Sequence, residues 1–583
     1  MAEATEGAAT TDILGPRKKK ILFTSDHFSA SELSRICVAK GVRYAVISPG
    51  SRSAPLVISF LNEKNIKCLR IIDERSAAFF ALGMAQQLRS PVALICTSGS
   101  AVLNYGPAIA EAFYQRVPLL VITADRPEEW VDQGEGQAIR QRDVLALHMK
   151  KSVQLPRHIG DDLSRWHCGR LINEAIDATL MPVAGPVHIN IPFTEPLYGR
   201  AEEPGSTSRV IEQLPTESFV LPPFAQQCAS ILSSAKKVMV LIGQGHWEPE
   251  VRSDLKKLAA LQQCVVLVES TSNLDDPDFI SCIDRTIEGI DDRNEEDLRP
   301  DVLITFGGAI ISKRIKGLLR KWRPAQHWNI DQGQRHYDTY QSLTRDIQVS
   351  PAIFLTQIVP QVKEQLSGYA SSWHRLDRDT NMRQLKFLRE APFSDLTVFA
   401  TLLERIPERT DIHLANSTPA RYAQLFDRGL AHRFWSNRGT SGIDGCTSTA
   451  IGAAYVTART TTLITGDTAF LYDSNAFWND HLPHELKIIV IDNGGGNIFR
   501  FIEGPDQDPE LLSWFEAPYR RSIEKMVRSY DLPYFQATDH ASLKEGILSL
   551  YAPHDRPAVL HVITDREVSP RILREHFKAL RSS

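Results

Sequence analysis

Two short stretches in the last third of the chain place oxygen donors where a hard cation and a diphosphate can meet. TTLITGDTAF sets Gly466-Asp467-Thr468 directly after an apolar, β-branched run, and KIIVIDNGGGNIF sets Asn493 directly after the next. Such runs read as buried strands of a parallel sheet. Twenty-four residues separate Thr468 from Asn493, room for a helix and a return loop, so the two strand ends fall side by side. A carboxylate and an amide oxygen there, with the Gly495 carbonyl as a third donor, suit Mg²⁺ or Mn²⁺, and the glycine turns admit phosphate oxygens closely. Taken singly, Asp467 reads as a helix cap and Asn493-Gly494 as a tight turn. Their order, spacing and shared strand-end context point instead to a metal-diphosphate site.

The pattern resembles the diphosphate-binding signature of thiamine diphosphate enzymes, with Thr468 where many members carry a second glycine. The resemblance implies that the first domain offers a carboxylate to the aminopyrimidine ring of that cofactor. Glu74, in CLRIIDERSAAFFALGMA, follows a strand and sits in the first turn of an alanine-rich helix. A hydrogen bond from its carboxyl to N1′ favours the imino tautomer, whose nitrogen takes the thiazolium C2 proton. Without the resemblance, Asp73 and Glu74 are acids at the positive end of a helix dipole. The resemblance also implies Ile443, in RGTSGIDG, as apolar support beneath the bent cofactor, a position that otherwise reads as core, and Ile498 as a second cofactor contact. This family generally builds its cofactor site from domains of different subunits. A homo-oligomer, dimer or tetramer, with active sites at the subunit interface is therefore implied.

A second set of motifs narrows the resemblance. PGSRSAPL (49–56), TSGSA (97–101), ADRP (124–127), GQAIRQ (136–141), SKR (312–314), NSTPAR (416–421) and SNRGTSGIDG (436–445) together closely resemble the 2-succinyl-5-enolpyruvyl-6-hydroxy-3-cyclohexene-1-carboxylate synthase family. The resemblance runs from about residue 30 to the C-terminus and is weakest in the middle of the chain. It implies decarboxylation of 2-oxoglutarate and addition of the four-carbon unit to isochorismate, a step of menaquinone biosynthesis. The matching basic positions are Arg52, Arg126, Arg140, Lys313, Arg314, Arg421 and Arg438, with Ser51, Gln137 and Ser417 as neutral donors and Phe499 and Ile502 as an apolar wall. Two dicarboxylates in one pocket need fixed cations, and the planar fork of arginine pairs with a carboxylate through two parallel bonds. Any one of these arginines alone reads as a solvated or ion-paired residue. Gly136 departs from the family, standing where an asparagine is expected.

Two other functions remain. A thiamine-dependent carboligase of small monocarboxylic acids, such as an acetolactate synthase-like enzyme, would not need so many cations. A non-catalytic binder of thiamine diphosphate or an anionic metabolite would not need Glu74. The 17 histidines show no H-E-x-x-H or paired metal spacing, and Gly243-Gln244-Gly245 lacks the third glycine of a dinucleotide fingerprint.

The elements that must hold these residues follow from the rest of the sequence. A chain of 583 residues exceeds one hydrophobic core, and 43% apolar with 23% charged residues is ordinary for a folded, soluble protein. The 66 basic and 70 acidic residues are interspersed, leaving no stripe for nucleic acid. Eight cysteines without C-x-x-C spacing read as small buried residues of a reducing cytoplasm, and no apolar run reaches the ~20 residues that cross a bilayer. Short β-branched runs alternate with helical stretches throughout, which predicts an α/β protein of three consecutive domains with mainly parallel sheets, the thiamine diphosphate-enzyme architecture. The expected divisions are a flexible extension (1–23), a pyrimidine-binding domain (24–200), a polar linker (201–218), a central α/β domain (219–365), a connecting segment (366–392) and a diphosphate- and metal-binding domain (393–583).

Overall fold

The apolar runs form the central strands of three parallel sheets. In this computed structural model, which describes residues 23–202, 208–333, 335–427, 432–500, 508–518 and 521–581, the first sheet has the order Lys67–Arg70, Tyr44–Ile47, Val92–Cys96, Leu119–Asp125, Val187–Pro192, Lys151–Gln154. The middle sheet runs Cys264–Val268, Val238–Ile242, Val302–Phe306, Gln326–Ile330, Arg345–Ile347. The third runs Arg433–Trp435, Asp411–Leu414, Thr461–Gly466, Leu486–Asp492, Ala558–Ile563, Tyr534–Ala537. Every pairing within these sheets is parallel. Helices cover both faces, so the inner strands are largely buried, and some, such as Val92–Cys96 and Val238–Ile242, are apolar throughout.

The first and third sheets share one topology. Numbering strands by chain order within each sheet, both read 2-1-3-4-6-5, and the middle sheet begins the same way. The chain reverses direction across the sheet between its first and third strands, and the crevice outside the strand C-termini there is where ligands of doubly wound sheets bind. PGSRS and TSGSA leave that point in the first sheet; NSTPAR and Gly466-Asp467 leave it in the third.

Two helices join these sheets with almost no side chain between them. A Cβ on Gly83, in the helix Glu74–Leu88, would lie 2.0 Å from the Thr449 carbonyl oxygen, and one on Gly452, in the helix Cys446–Val456, 2.0 Å from that of Phe80. Glycine at both positions lets the two backbones touch. The helix starts are tied as well: Asn475 donates to Asp73 at 2.7 Å and Arg75 to the Tyr472 carbonyl at 3.0 Å.

The segment 366–392 is largely one helix, Tyr369–Glu390. Tyr369, Trp373 and Leu376 complete the middle core, while Phe387 and Leu388 pack on the third. Phe23 begins a strand, Phe23–Ser25, paired antiparallel with Arg200–Glu202, so that ribbon lies at the margins of the expected extension and linker. Residues 1–22 fall outside the described residues. Among the described residues no helix is long and apolar enough to cross a membrane, and no disulfide links the eight cysteines.

Candidate active site

In the third sheet Gly466 pairs with Ile491, so Asp467 and Asp492 leave adjacent strands at the same level. Both ends then turn sharply. Gly494, Gly495 and Gly496 all adopt positive φ (82°, 113° and 88°), which glycine tolerates and other residues resist. A Cβ on Gly495 would lie 2.6 Å from the Ala517 backbone, so at this position the close approach also excludes a side chain. The loop thereby delivers the Gly495 N–H to Asp467 Oδ2 at 2.7 Å, while the Thr468 hydroxyl donates to Oδ1 at 3.0 Å. Thr468 thus adds a hydroxyl to the turn in place of the flexibility of a second glycine.

Asn493 is buried and oriented by a residue that sequence reasoning did not single out. Its amide nitrogen donates to Asp395 Oδ2 at 2.9 Å, and Asp395 is held by the hydroxyls of Thr564 (2.6 Å) and Ser569 (3.1 Å). This fixes the Asn493 amide so that Oδ1 faces the glycine loop, where it accepts the Asn497 N–H at 3.3 Å. The only advance signal for Asp395 was its place after Ser394 in a helix start. Asp492, on the strand's last position, takes His561 Nε2 at 2.8 Å.

These groups fit a divalent cation. Burial, reinforced by Asp492, pushes the Asp467 carboxyl up to about 6, the signature of a desolvated carboxylate lacking a compensating charge. Asn497 Oδ1 is buried nearby without a hydrogen-bond partner. Among the described residues no group of three or more His, Cys, Asp or Glu side chains can hold a metal. A cation here would rely on Asp467, the Asn493 amide oxygen and backbone carbonyls, a hard-oxygen set appropriate to Mg²⁺. The Gly495 carbonyl, expected as third donor, accepts the Ala517 N–H at 2.9 Å, leaving its second lone pair for a ligand. Ile443 packs with Ala415, Cys446 and Ala469, beside the Asp467-Thr468 turn. Ile498 is half-buried, Phe499 lies 5.1 Å ring to ring from Phe515, and Ile502 falls outside the described residues.

Glu74 opens its helix, with Asp73 capping the Ser76 N–H at 3.0 Å. Its half-buried carboxylate accepts no hydrogen bond among the described residues. It lies close enough to Cys96 and Tyr105 that, after burial, its charge helps to raise both their pKa values. No hydrogen bond or ion pair among the described residues joins Glu74 to Asp467, Asn493 or Gly495.

The cationic residues form separate groups. In the first domain, a Cβ on Gly50 would meet Thr97 at 2.4 Å and one on Gly99 would meet Gln137 Cα at 3.2 Å, so PGSRS, TSGSA and GQAIRQ share one strand-end cluster. Arg52 is buried there, donating to the Phe193 carbonyl at 2.9 Å and to Glu195 at 3.2 Å. Burial and the neighbouring Arg126 lower its pKa. Arg126 pairs with Glu135 at 3.4 Å, and the Nε atoms of both arginines are buried without partners. Ser51 and Gln137 are exposed beside them. Arg140 does not join this group: its side chain is 83% exposed and pairs with Asp132. Gly136, with nothing within 4 Å of a built Cβ, faces open space.

The second group spans the third and middle domains. Arg438 donates to Asn416 Oδ1 at 2.8 Å, and burial together with Arg421 lowers its pKa. Arg421 is likewise lowered by burial, offset by Asp284. Ser417, at φ 75°, precedes the helix that carries Arg421. Asp284 also accepts the Ser312 hydroxyl, and Glu269 takes the Ile311 and Ser312 N–H groups at 2.6 and 2.7 Å. These bonds fix the start of the helix bearing Lys313 and Arg314. Lys313 is exposed; Arg314 pairs with Glu288 and lies over the Phe577 ring.

Comparison with known proteins gives concordant results. Residues 30–147 match the family described as thiamine pyrophosphate enzyme, N-terminal TPP binding domain, and residues 225–414 the family described as middle domain of thiamine pyrophosphate. A 2-succinyl-5-enolpyruvyl-6-hydroxy-3-cyclohexene-1-carboxylate synthase of Flavobacterium johnsoniae is 42% identical over 94% of this chain and 98% of its own length. Proteins of the same name from Porphyromonas gingivalis (39% identical; 95% of this chain, 97% of that one) and Desulfotalea psychrophila (39%; 92% and 98%) are similar over the same span.

Proposed function

The chain belongs to the 2-succinyl-5-enolpyruvyl-6-hydroxy-3-cyclohexene-1-carboxylate synthase family, and from that premise we propose how its own residues perform the family's reaction. The protein is a thiamine diphosphate-dependent transferase of menaquinone biosynthesis. It decarboxylates 2-oxoglutarate and adds the resulting four-carbon unit to isochorismate in a 1,4 sense. The chemistry that thiamine diphosphate supplies when bound is a nucleophilic carbon and an electron sink for decarboxylation.

Asp467, Asn493 and the Gly495 carbonyl would hold the Mg²⁺ or Mn²⁺ that anchors the cofactor's diphosphate, and Ile443 and Ile498 would supply apolar contacts to the cofactor. The observation that carries this reading is the bond between the Gly495 N–H and the Asp467 carboxylate, which closes two adjacent strand ends around one oxygen-rich point. Glu74 holds a proton at N1′ of the aminopyrimidine, a role open to a carboxylate without an internal partner. Family members generally build this site from domains of different subunits, and among the described residues no hydrogen bond or ion pair joins Glu74 to Asp467. On that basis a second copy completes the site, making the smallest active unit a homodimer. Both substrates are water-soluble metabolites, and the cytoplasm is the assigned compartment.

Arg421 and Arg438, with Ser417, orient the carboxylates of the oxo acid; Arg52 and Arg126, with Ser51 and Gln137, hold the acceptor. Lys313 and Arg314 guard the middle-domain side, and Phe499 and Ile502 exclude water from the reacting carbons. Burial disfavours the charged forms of Arg52, Arg421 and Arg438, and a bound dicarboxylate relieves that cost through paired charge-assisted bonds. Arg140 is the weakest candidate because its guanidinium stands in solvent.

The test is mass spectrometry of a reaction containing 2-oxoglutarate, isochorismate, thiamine diphosphate and Mg²⁺. The expected result is a product carrying the isochorismate skeleton plus four carbons, one CO₂ released per product. Turnover of pyruvate with no such product would overturn the assignment.

A further inference from the structure

The loop that carries Arg438 is held from outside its own domain. Glu111, in the first-domain helix Gly106–Gln115, is 1% exposed; both its carboxylate oxygens accept bonds from the third domain, and Oε1 also accepts from Gln115 of its own helix. Oε1 accepts the Gly439 N–H at 2.6 Å; Oε2 accepts the Thr440 N–H at 2.7 Å and the Thr440 hydroxyl at 2.6 Å. A Cβ on Gly439 would lie 2.6 Å from the Glu111 carbonyl oxygen, so the loop is pressed onto the helix backbone itself. One helical turn on, Gln115 donates to the Ser436 carbonyl at 3.0 Å, and Gln244 of the middle domain donates to the same carbonyl at 3.0 Å. Gln115 also accepts from Gln86 at 3.0 Å, which lies on the helix that Glu74 begins. Three domains therefore converge on Ser436–Thr440, with Arg438 at its centre.

We propose that Glu111 is a positioning residue for the oxo-acid substrate: by clamping Gly439 and Thr440 it fixes the direction of the Arg438 guanidinium, and through Gln115 and Gln86 it ties that direction to the helix of Glu74. The inference rests on the reading above that Arg438 pairs with a substrate carboxylate. A side chain offering two acceptor oxygens to three short bonds from one loop holds it more rigidly than an amide, which would turn a donor toward one of these N–H groups. A misdirected bidentate arginine loses substrate orientation without losing the cofactor.

The experiment compares Glu111→Gln, the milder Thr440→Val, Arg438→Ala and the double variant Glu111→Gln/Arg438→Ala in the full-length holoenzyme. Expected is a rise of at least tenfold in KM for 2-oxoglutarate in Glu111→Gln and a smaller rise in Thr440→Val. KM for isochorismate and the affinity for thiamine diphosphate should stay within about twofold. In the Arg438→Ala background, Glu111→Gln should add little, because both changes act through one group. Additive losses, unchanged KM for 2-oxoglutarate, or parallel losses of cofactor affinity and thermal stability would each overturn the proposal. If Arg438→Ala alone leaves that KM untouched, the Arg438 assignment fails first and the inference falls with it.

Discussion

Substituting Gly83 by alanine tests whether the contact between the Glu74–Leu88 and Cys446–Val456 helices sets the active-site geometry. The added Cβ would lie 2.0 Å from the Thr449 carbonyl oxygen, 2.8 Å from its carbon and 2.9 Å from the Ala453 nitrogen. Ordinary carbon–oxygen contact lies near 3.3 Å. All three obstacles are backbone, so no rotamer change relieves them, and the helices must part by roughly 1.3 Å at the contact. Overpacking of this kind costs about 1–3 kcal/mol. Glu74 lies nine residues back along the same helix, about 14 Å from the wedge at 1.5 Å per residue. Part of the displacement therefore reaches its carboxylate, and misplacement approaching 1 Å lowers turnover by up to about 10²-fold. The assay is steady-state kcat/KM for product formation beside thermal unfolding, with Gly317→Ala as control. Gly317 sits in a helix with open space around its built Cβ, so alanine there should be neutral or stabilise by ~1 kcal/mol. A Gly83→Ala enzyme with unchanged turnover and melting temperature would refute the claim that this contact positions Glu74.

Asp467→Ala should weaken Mg²⁺-dependent cofactor binding at least tenfold while leaving the metal-free fold intact, because it removes a desolvated carboxylate; a fluorescence titration checks this, and unchanged affinity would return Asp467 to a helix-capping role. Arg126→Ala and Arg438→Ala should separate two steps: single-turnover CO₂ release from 2-oxoglutarate alone survives the first and falls in the second. Each lost pair costs roughly 2–5 kcal/mol, thirtyfold or more in rate; equal loss of both steps in both variants contradicts the division. Burial pushes the Asp473 carboxyl up to about 7, against the pull of the Ser448 N–H and hydroxyl. A carboxyl raised in the fold favours folding while protonated, so its contribution is lost as pH rises from about 4 through about 7. Melting temperatures of wild type relative to Asp473→Asn should therefore decline across that window, and parallel curves would exclude the effect.

Which parts of this architecture were legible in the sequence follows from how burial is distributed. Strands inside the sheets such as Val92–Cys96 and Val238–Ile242 are apolar on both faces and announce themselves as continuous runs. Edge strands do not. Lys151–Gln154, Arg433–Trp435 and Arg345–Ile347 are short and partly polar, because one side of each meets solvent or another domain. The site shows a similar contrast. Asp467 and Asn493 stand at ends of legible strands, with spacing that betrays their proximity. Asp395 and Glu111 act on groups 98 and 328 residues away, and apart from the place of Asp395 at a helix start nothing local singles them out. Arg140 shows the converse: a motif position whose side chain folds outward onto Asp132.

The central claim is that Glu74 serves a thiamine diphosphate molecule anchored through Asp467 and Asn493. Its most direct test is Glu74→Gln, assayed for thiamine diphosphate affinity and for product formation from 2-oxoglutarate and isochorismate on the same preparation. The amide keeps the size of the carboxyl but cannot exchange a proton with N1′, so affinity should stay within a few-fold while turnover falls by about 10²–10⁴. Turnover equal to wild type in fully loaded Glu74→Gln would contradict the account.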